Sequence, residues 1–405
     1  MSLNAQVSAE RVHIGFFGLR NAGKSSLVNR VTGQELSVVS EVRGTTTDPV
    51  RKAMELLPLG PVVIIDTPGL DDEGTLGEER VRRAHRVLDQ TDIAVLVVDA
   101  AAGLSQADRG LTQLFEERHI PYVIAMNKAD LVTVPENIPE NMIFVSAREN
   151  GNIHALKEKI AALVRSVPPA RELIADLVSP GDAVVLVTPI DSAAPRGRLI
   201  LPQVQAIREL LDAHAKCLVV QQDRVAESIA ELRHPPKLVM ADSQVIMDVA
   251  AQTPEDIPLT TFSIQMAYSK ADVIEMARGT AALASLEDGD RVLICETCSH
   301  HPQKDDIGRI KIPRWLRQKT GKDLQIEVAV GKDFPVDLTP YKVLIQCGGC
   351  VVTRRHMLMR LRAAHAQNVP MTNYGLTISY LQGVLERVLL CHPEALKAYR
   401  DALTK

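Results

Sequence analysis

Aromatic residues are scarce in this 405-residue chain: one Trp, six Tyr and six Phe make up 3% of it. That leaves little for stacking on the bases of single-stranded nucleic acid. Cysteine is scarce too, six in all, too few for a disulfide scaffold. Clustered thiols in such a chain point instead to metal or redox chemistry. No uninterrupted apolar run approaches the ~18–20 residues of a membrane-spanning helix. The N-terminus MSLNAQVSAERVHIGFFG has no charged region ahead of a long apolar stretch, so the expectation is a cytoplasmic protein without a membrane partner. Charge of one sign is also lacking: 46 basic residues face 50 acidic ones, a net of −4. That excludes whole-chain attraction to polyanions, though not a local basic face. What remains is ordinary globular composition, 46% hydrophobic and 24% charged, with length for roughly two to four domains.

The first segment alternates short apolar runs with amphipathic stretches. VHIGFF (12–17), VVIID (62–66), AVLVVDA (94–100), YVIAMN (122–127) and MIFVSA (142–147) read as strands, rich in Val and Ile. GEERVRRAHRVLDQ, GLTQLFEERHI and IHALKEKIAALVRSV read as helices between and after them. Such alternation predicts a parallel sheet covered on both faces. Pro168 and Pro169 stop the last helix and set a boundary.

A shorter alternating segment follows, with strands at 183–190, 216–221 and 237–243, and with PLTTFSIQMAY (258–268) expected to return as a strand. Its small open sheet would expose edges that need a cover or a partner. From about residue 269 a third segment begins with the helix DVIEMARGTAALASL. Strands at 291–295, 324–330 and 341–346 follow, with helices at PRWLRQKT, TRRHMLMRLRAAHAQ and LTISYLQGVLERVLL. Between Arg291 and His365 stand fourteen Lys/Arg and seven Asp/Glu, either a solvated basic surface or a functional face.

Gly18-Leu-Arg-Asn-Ala-Gly23-Lys24-Ser25 fits the G-x-x-x-x-G-K-S/T pattern, placed between an apolar strand and a helix. Backbone N–H groups from Gly18 through Asn21, Ala22 and Gly23 to Ser26 can face phosphate oxygens. Lys24 adds a point charge, and Ser25 offers an oxygen to Mg²⁺. Asp66-Thr-Pro-Gly69 closes another strand, where a carboxylate can reach Mg²⁺ through water and a Gly amide can sense a γ-phosphate. Asn127-Lys128-Ala129-Asp130 ends a third. Asp130 can accept two hydrogen bonds from guanine N1–H and its exocyclic amine, which adenine does not offer, so the nucleotide is GTP. Ser146-Ala147-Arg148 ends a fourth strand and resembles the last guanine-contacting loop of such sites. All four lie at C-terminal strand ends, where parallel sheets bind ligands.

With these motifs, residues 10–165 resemble the MnmE, Era and Der group of translation-factor-related GTPases. Gly44-Thr45-Thr46-Thr47-Asp48 is similar to that group's switch-I G-T-T-R-D, which puts Thr46 on Mg²⁺. The resemblance also implies that Asn21 helps bind a K⁺ that stands in for an arginine finger; a plain turn residue is the other reading of Asn21. Leu70 stands where Ras-like enzymes position water with Gln, so slow unaided hydrolysis is expected.

Cys295 and Cys298 follow the apolar run Val292-Leu293-Ile294, and Cys347 and Cys350 follow the matching run Val343-Leu344-Ile345. In one parallel sheet both loops would emerge at the same edge. Gly348 and Gly349 would let the backbone wrap a bulky centre and aim amides at its sulfurs. A Cys₄ zinc site is one reading, but 48 residues between the halves exceed the ~15–20 of a zinc ribbon. Unliganded core thiols are another, and an iron–sulfur cluster is the leading one. Cys217 and Cys391 are solitary and read as small buried hydrophobes.

Cys298-Ser-His300 with Cys347-Gly-Gly-Cys350, joined to such a GTPase, resembles the HydF family of [FeFe]-hydrogenase maturation GTPases over the whole chain. Gln346 stands where the family's C-x-H…H-C-x-x-C pattern has its second His. The resemblance implies an α/β fold: a P-loop GTPase domain with a parallel sheet (1–168), a small α/β dimerisation domain (169–268) and an α/β iron–sulfur cluster-binding domain (269–405). It implies a [4Fe–4S] cluster on Cys298, Cys347 and Cys350, with His300 or Glu296 as candidates for a labile fourth position. It further implies a homodimer, a scaffold role for the hydrogenase's two-iron subcluster, and exchange with HydE, HydG and the hydrogenase. The competing expectation is an MnmE- or Era-like GTPase for tRNA modification or ribosome assembly with a structural metal site. Against it, the third segment lacks a KH-type G-x-x-G loop, so nucleic acid is not the expected partner.

Overall fold

The computed structural model describes residues 11–34, 50–67, 87–166, 171–190, 199–297, 306–331 and 334–404. Thr46, Gly69, Leu70, Cys298 and His300 lie outside them. The chain divides into two compact units, Met1–Pro169 and Ala170–Lys405.

The first unit is built on six strands: β1 (Val12–Phe17), β2 (Val50–Leu56), β3 (Gly60–Asp66), β4 (Ile93–Asp99), β5 (Tyr122–Asn127) and β6 (Met142–Phe144). Their order is β2-β3-β1-β4-β5-β6, parallel except for β2, which pairs antiparallel with β3. Val, Ile and Leu fill β3 and β4 because both sheet faces are covered. β1 has neighbours reached in opposite directions, β3 on one side and β4 on the other. That is the switch point where open α/β sheets leave a crevice.

The second unit carries two four-stranded parallel sheets. One has β7 (Ala183–Val187), β8 (Lys216–Val220), β9 (Leu238–Ala241) and β10 (Leu259–Thr261), in the order β10-β9-β7-β8. The other has β11 (Arg291–Glu296), β12 (Gln325–Val330), β13 (Val343–Gln346) and β14 (Met371–Asn373), in the order β12-β11-β13-β14. Read by position in the chain, both follow the pattern second, first, third, fourth. The unit is therefore a topological repeat. One apolar core runs through both sheets, from Val185 and Val239 to Val292, Leu344 and Tyr399, and a second, with Val184, Leu186, Leu238 and Met240, covers the other face of the first of them.

The expected strand at 258–268 is corrected by the structure. Only Leu259–Thr261 is a strand, and the chain then turns into the helix Phe262–Lys270, capped by Thr261 Oγ1 accepting from Ile264 N at 3.1 Å. Phe262 and Met266 enter one core while Ile264 and Ala267 enter the other. A helix buried on both faces loses its amphipathic period and reads as an apolar run. Its counterpart after β14, Tyr374–Leu381, is capped in the same way by Asn373.

His392 is buried in this unit, with its ring 4.8 Å from Tyr268 and Nε2 3.0 Å from Gln265 Nε2, where a neutral imidazole accepts. Burial, and then Arg171, bring its pKa from 6.5 down to about 4. Between those values the unfolded chain binds a proton that the folded one does not. Stability is therefore complete above pH ~6.5 and is lost as pH falls toward 4, by about 2 kcal/mol between pH 7 and pH 5. Urea unfolding should show that loss, and His392→Gln should remove most of it.

Candidate functional site

The nucleotide motifs converge at the C-terminal edge of the first sheet. Gly18 and Gly23 take φ of +141° and +84°. A Cβ on Gly18 would lie 2.1 Å from Val97 O, and one on Gly23 2.3 Å from Asn127 Nδ2, so only glycine fits either place. Lys24 is buried, with Nζ 3.1 Å from Gly18 O and 3.4 Å from Leu19 O. Its ammonium is thus held over the loop that would enclose the phosphates. Asn21 is exposed with φ of +62°.

Ser25 Oγ donates to Asp66 Oδ2 at 2.9 Å, although 41 residues separate the two. Asp66 is buried, and its Oδ1 has no hydrogen-bond partner among the described residues. A hydroxyl beside a buried carboxylate with a spare oxygen is a fitting donor set for Mg²⁺, which prefers few protein oxygens and leaves positions for water and phosphate. Thr67 Oγ1 donates to Phe16 O at 2.7 Å, fixing the strand end.

Asn127 joins three loops. Its Nδ2 donates to Ala22 O at 2.9 Å, and its Oδ1 accepts from Ala147 N at 3.0 Å. Asp130 Oδ1 accepts from Ser146 Oγ at 2.6 Å, so the hydroxyl aims the carboxylate. Lys128 Nζ donates to Asp99 Oδ2 at 2.6 Å, a bond that lowers the Asp99 pKa. A cavity of about 920 Å³ opens here, lined by Gly23, Ser26, Asn127, Lys128, Asp130 and Ala147 of the sequence motifs. It is also lined by Arg148 of the base-contacting loop and by Asn29, Arg30 and Asn150, which the sequence did not single out. Arg30 belongs there for a legible reason: from the helix after the Gly-rich loop its Nε donates to Ala147 O at 2.8 Å, bracing the last loop.

The cysteine loops leave β11 and β13, adjacent strands in the second sheet of the other unit. β11 has β12 on one side and β13 on the other, so the loops flank a switch point of this sheet as well. Cys347 Sγ accepts from Thr297 N at 3.3 Å and from Gln346 Nε2 at 3.4 Å, and shares a hydrogen bond with Thr297 Oγ1 at 3.1 Å in which either atom can donate. Gln346 is fully buried, also donates to Cys295 O at 3.0 Å, and accepts from Arg360 Nη1 at 3.0 Å. Gly349 has φ of +67° and packs so closely that a Cβ would lie 2.7 Å from Met357 Sδ; Gly348 is not crowded in this way, a Cβ there lying 3.9 Å from Ser263 Oγ. Buried Lys270 donates to Gly349 O, Cys350 O and Val352 O at 3.3, 3.0 and 3.0 Å, drawing the loop round one ammonium. Burial pushes the Cys350 thiol pKa up, the neighbouring Cys347 adds to that, and Lys270 opposes it.

Cys295 has no exposed surface, sits in the apolar core, and is pushed by burial up to about 12. Glu296 is buried, with Oε2 3.1 Å from Arg309 Nη2. Among the described residues no group of three or more His, Cys, Asp or Glu is arranged to hold a metal ion. Cys298 and His300 lie outside those residues, and of the proposed ligands the structure brings together Cys347 and Cys350, with Glu296 at the end of the adjacent strand. Thr297 N and Gln346 Nε2 donate to Cys347 Sγ, and cysteine sulfur is the ligand that iron–sulfur clusters use, so the chemistry of Cys347 and Cys350 is the kind such a group takes.

A six-stranded sheet with this Gly-rich loop, Ser25–Asp66 pair and Asn127–Asp130 loop defines a P-loop GTPase domain, here followed by a cysteine-bearing α/β unit. Residues 13–128 match the family described as 50S ribosome-binding GTPase. Residues 173–271 match the hydrogen maturase F dimerization domain, and 274–391 the hydrogen maturase F tetramerization domain. The chain belongs to the hydrogen maturase F family, HydF.

Among curated relatives, the tRNA modification GTPase MnmE of Nitrosomonas europaea is 33% identical over 162 residues, 39% of this chain and 35% of that protein. GTPase Der of Maridesulfovibrio salexigens is 39% identical over 133 residues, 32% of this chain and 29% of that one. The chain spans about a third of the length of the curated relatives it matches. Among solved structures, a probable GTP-binding protein engB aligns with TM-score 0.33 and 26% identity, over 38% of this chain and 100% of that one. Era in complex with MgGDPNP and nucleotides of 16S ribosomal RNA aligns with TM-score 0.36 and 18% identity, over 52% and 93%. No helix among the described residues is long and apolar enough to cross a membrane.

Proposed function

We propose that this chain is a GTP-hydrolysing scaffold and carrier in [FeFe]-hydrogenase maturation, holding a [4Fe–4S] cluster in its second unit. The observation that carries the reading is that β11 and β13, the strands that lead into the two cysteine motifs, are neighbours at a switch point, in a chain of the HydF family with a GTPase domain. Lys24 takes the β/γ-phosphates, Ser25 and Asp66 hold Mg²⁺, and Asp130, aimed by Ser146, reads guanine. Thr46 and Gly69 complete the γ-phosphate side, and exposed Asn21 helps bind K⁺. Cys298, Cys347 and Cys350 hold the cluster. His300 or Glu296 serves the fourth, replaceable position; for Glu296 that means giving up Arg309. A replaceable ligand suits a scaffold that passes on a two-iron fragment received with the help of HydE and HydG. GTP then acts as a conformational switch on this exchange. Reconstituted iron and sulfide, measured with and without the three cysteines, test the reading.

The homodimer of this proposal uses β8, the edge of the first sheet in the second unit. Lys216 N bonds Asp182 O and Val220 O accepts from Thr188 N, both toward β7. Strand alternation turns the N–H and C=O of Cys217 and Val219 outward, and the Val219 side chain is exposed. A second copy can satisfy this edge. Val219→Pro removes an outward N–H without touching the bond to β7. Light scattering at tens of micromolar should show a shift toward monomer, with the circular dichroism unchanged; a dimer as tight as wild type would place the interface elsewhere.

A further inference from the structure

Arg30 stands in the last turn of the helix Lys24–Thr32, which begins at the Gly-rich loop. A cation there is ordinarily accounted for by the carbonyl end of its own helix. This guanidinium reaches instead to the base side of the nucleotide cavity, 117 and 118 residues further along the chain: Nε donates to Ala147 O at 2.8 Å and Nη2 to Arg148 O at 3.3 Å. Two successive carbonyls are thus gripped by one planar group whose donors keep a fixed spacing.

A trans peptide places its N–H opposite its C=O, so a hold on those carbonyls also aims the amides behind them. Behind Arg148 O is Glu149 N, which donates to Ser146 Oγ at 3.1 Å. The same hydroxyl donates to Asp130 Oδ1 at 2.6 Å. A chain of hydrogen bonds therefore runs from Arg30, through one peptide and one hydroxyl, to the carboxylate assigned to guanine, and each bond polarises the next. Ala147 carries a second branch. Its N–H donates to Asn127 Oδ1 at 3.0 Å, and Asn127 Nδ2 returns to Ala22 O of the Gly-rich loop at 2.9 Å. Within the base loop, Ser146 and Gly151 exchange two backbone bonds of 3.0 Å, so the loop closes on itself without help. Arg30 adds the placement of that loop against the phosphate helix.

We infer that Arg30 is a positioning residue for the nucleotide: it fixes the base loop on the phosphate helix, keeps Ser146 and Asp130 in guanine-reading geometry, and so sets how long a guanine nucleotide stays bound. This rests on Asp130 reading guanine, as proposed above. Both bonds of Arg30 go to the base loop and neither to the Ser25–Asp66 pair, so binding should change and the chemical step should not.

Full-length wild type, Arg30→Ala and Arg30→Lys are compared by stopped-flow release of fluorescently labelled GDP, by its displacement with ADP, by steady-state GTP hydrolysis and by melting of the nucleotide-free proteins. With slow hydrolysis, KM follows affinity. Arg30→Ala should release GDP about tenfold faster and raise the KM for GTP about tenfold, the low end for a bond from a charged donor because the side chain is exposed. The kcat at saturating GTP and the melting temperature should stay at wild-type values. ADP, which offers Asp130 no matching donors, should weaken far less than GDP. Arg30→Lys keeps the cation without the fork and should recover part of the loss. GDP release and KM at wild-type values in Arg30→Ala overturn the inference, and so does a loss that ADP shares in full, since Arg30 would then serve the phosphates. Wild type that binds ADP as tightly as GDP overturns the guanine reading of Asp130 itself, and this inference with it.

Discussion

Lys24→Ala should cut GTP turnover by at least about 100-fold while leaving iron per chain at the wild-type level. Lys24 is the cation of the Gly-rich loop, and its Nζ is held by Gly18 O and Leu19 O before any nucleotide arrives. Losing one preorganised charge at a phosphoryl-transfer site costs about 10²–10³ in rate. Because the ammonium is buried, no solvent cation takes its place at the same geometry. The cysteine loops belong to the other compact unit, so iron should be untouched. Phosphate release and iron content on the same preparation decide it; iron lost with Lys24 would mean that loading requires the nucleotide site. Wild-type turnover should also be faster in K⁺ than in Na⁺ at matched ionic strength, the sign expected if Asn21 serves the ion.

Cys347→Ala should abolish the cluster, and Cys350→Ala should do the same, whereas Cys295→Ala should keep iron bound. Cys347 Sγ accepts from Thr297 N and Gln346 Nε2 and shares a hydrogen bond with Thr297 Oγ1, polar contacts that a packed hydrophobe does not make. Cys295 presents its thiol to the apolar core, and removing a small buried group there costs stability of about 1 kcal/mol rather than a ligand. Iron per chain after anaerobic reconstitution separates the variants. If Cys295→Ala loses iron as completely as Cys347→Ala, the site is four-thiolate and the replaceable position is wrong.

The nucleotide site was legible because each of its parts answers to a local rule. Glycines stand where a Cβ would strike Val97 O or Asn127, and the pairing of Ser25 with Asp66 follows from parallel strands β1 and β3 in register. Strands missed in the sequence are the ones without a pattern. β2 lies at an edge with charged, exposed residues and no clean alternation, and β14 is three residues long. The run at 258–268 was misread because its helix is apolar on both sides, being packed between two sheets. Near the cysteines, the loops were legible from their matching strands, but their supports were not. Lys270 reaches the loop from 79 to 82 residues away, and Tyr374 stands beside Glu296 and Gly308 only through the sheet order. A lone lysine ending a run of buried residues was the one signal for the former, since a buried ammonium needs acceptors.

The central claim is that the second unit holds an iron–sulfur cluster. Its most direct test is the iron, acid-labile sulfide and zinc content of the full-length protein after anaerobic reconstitution, with EPR on the dithionite-reduced sample. The expected result is about four iron and about four sulfide per chain, with a reduced-cluster signal that disappears in Cys347→Ala. Stoichiometric zinc without sulfide, in colourless protein, would contradict it.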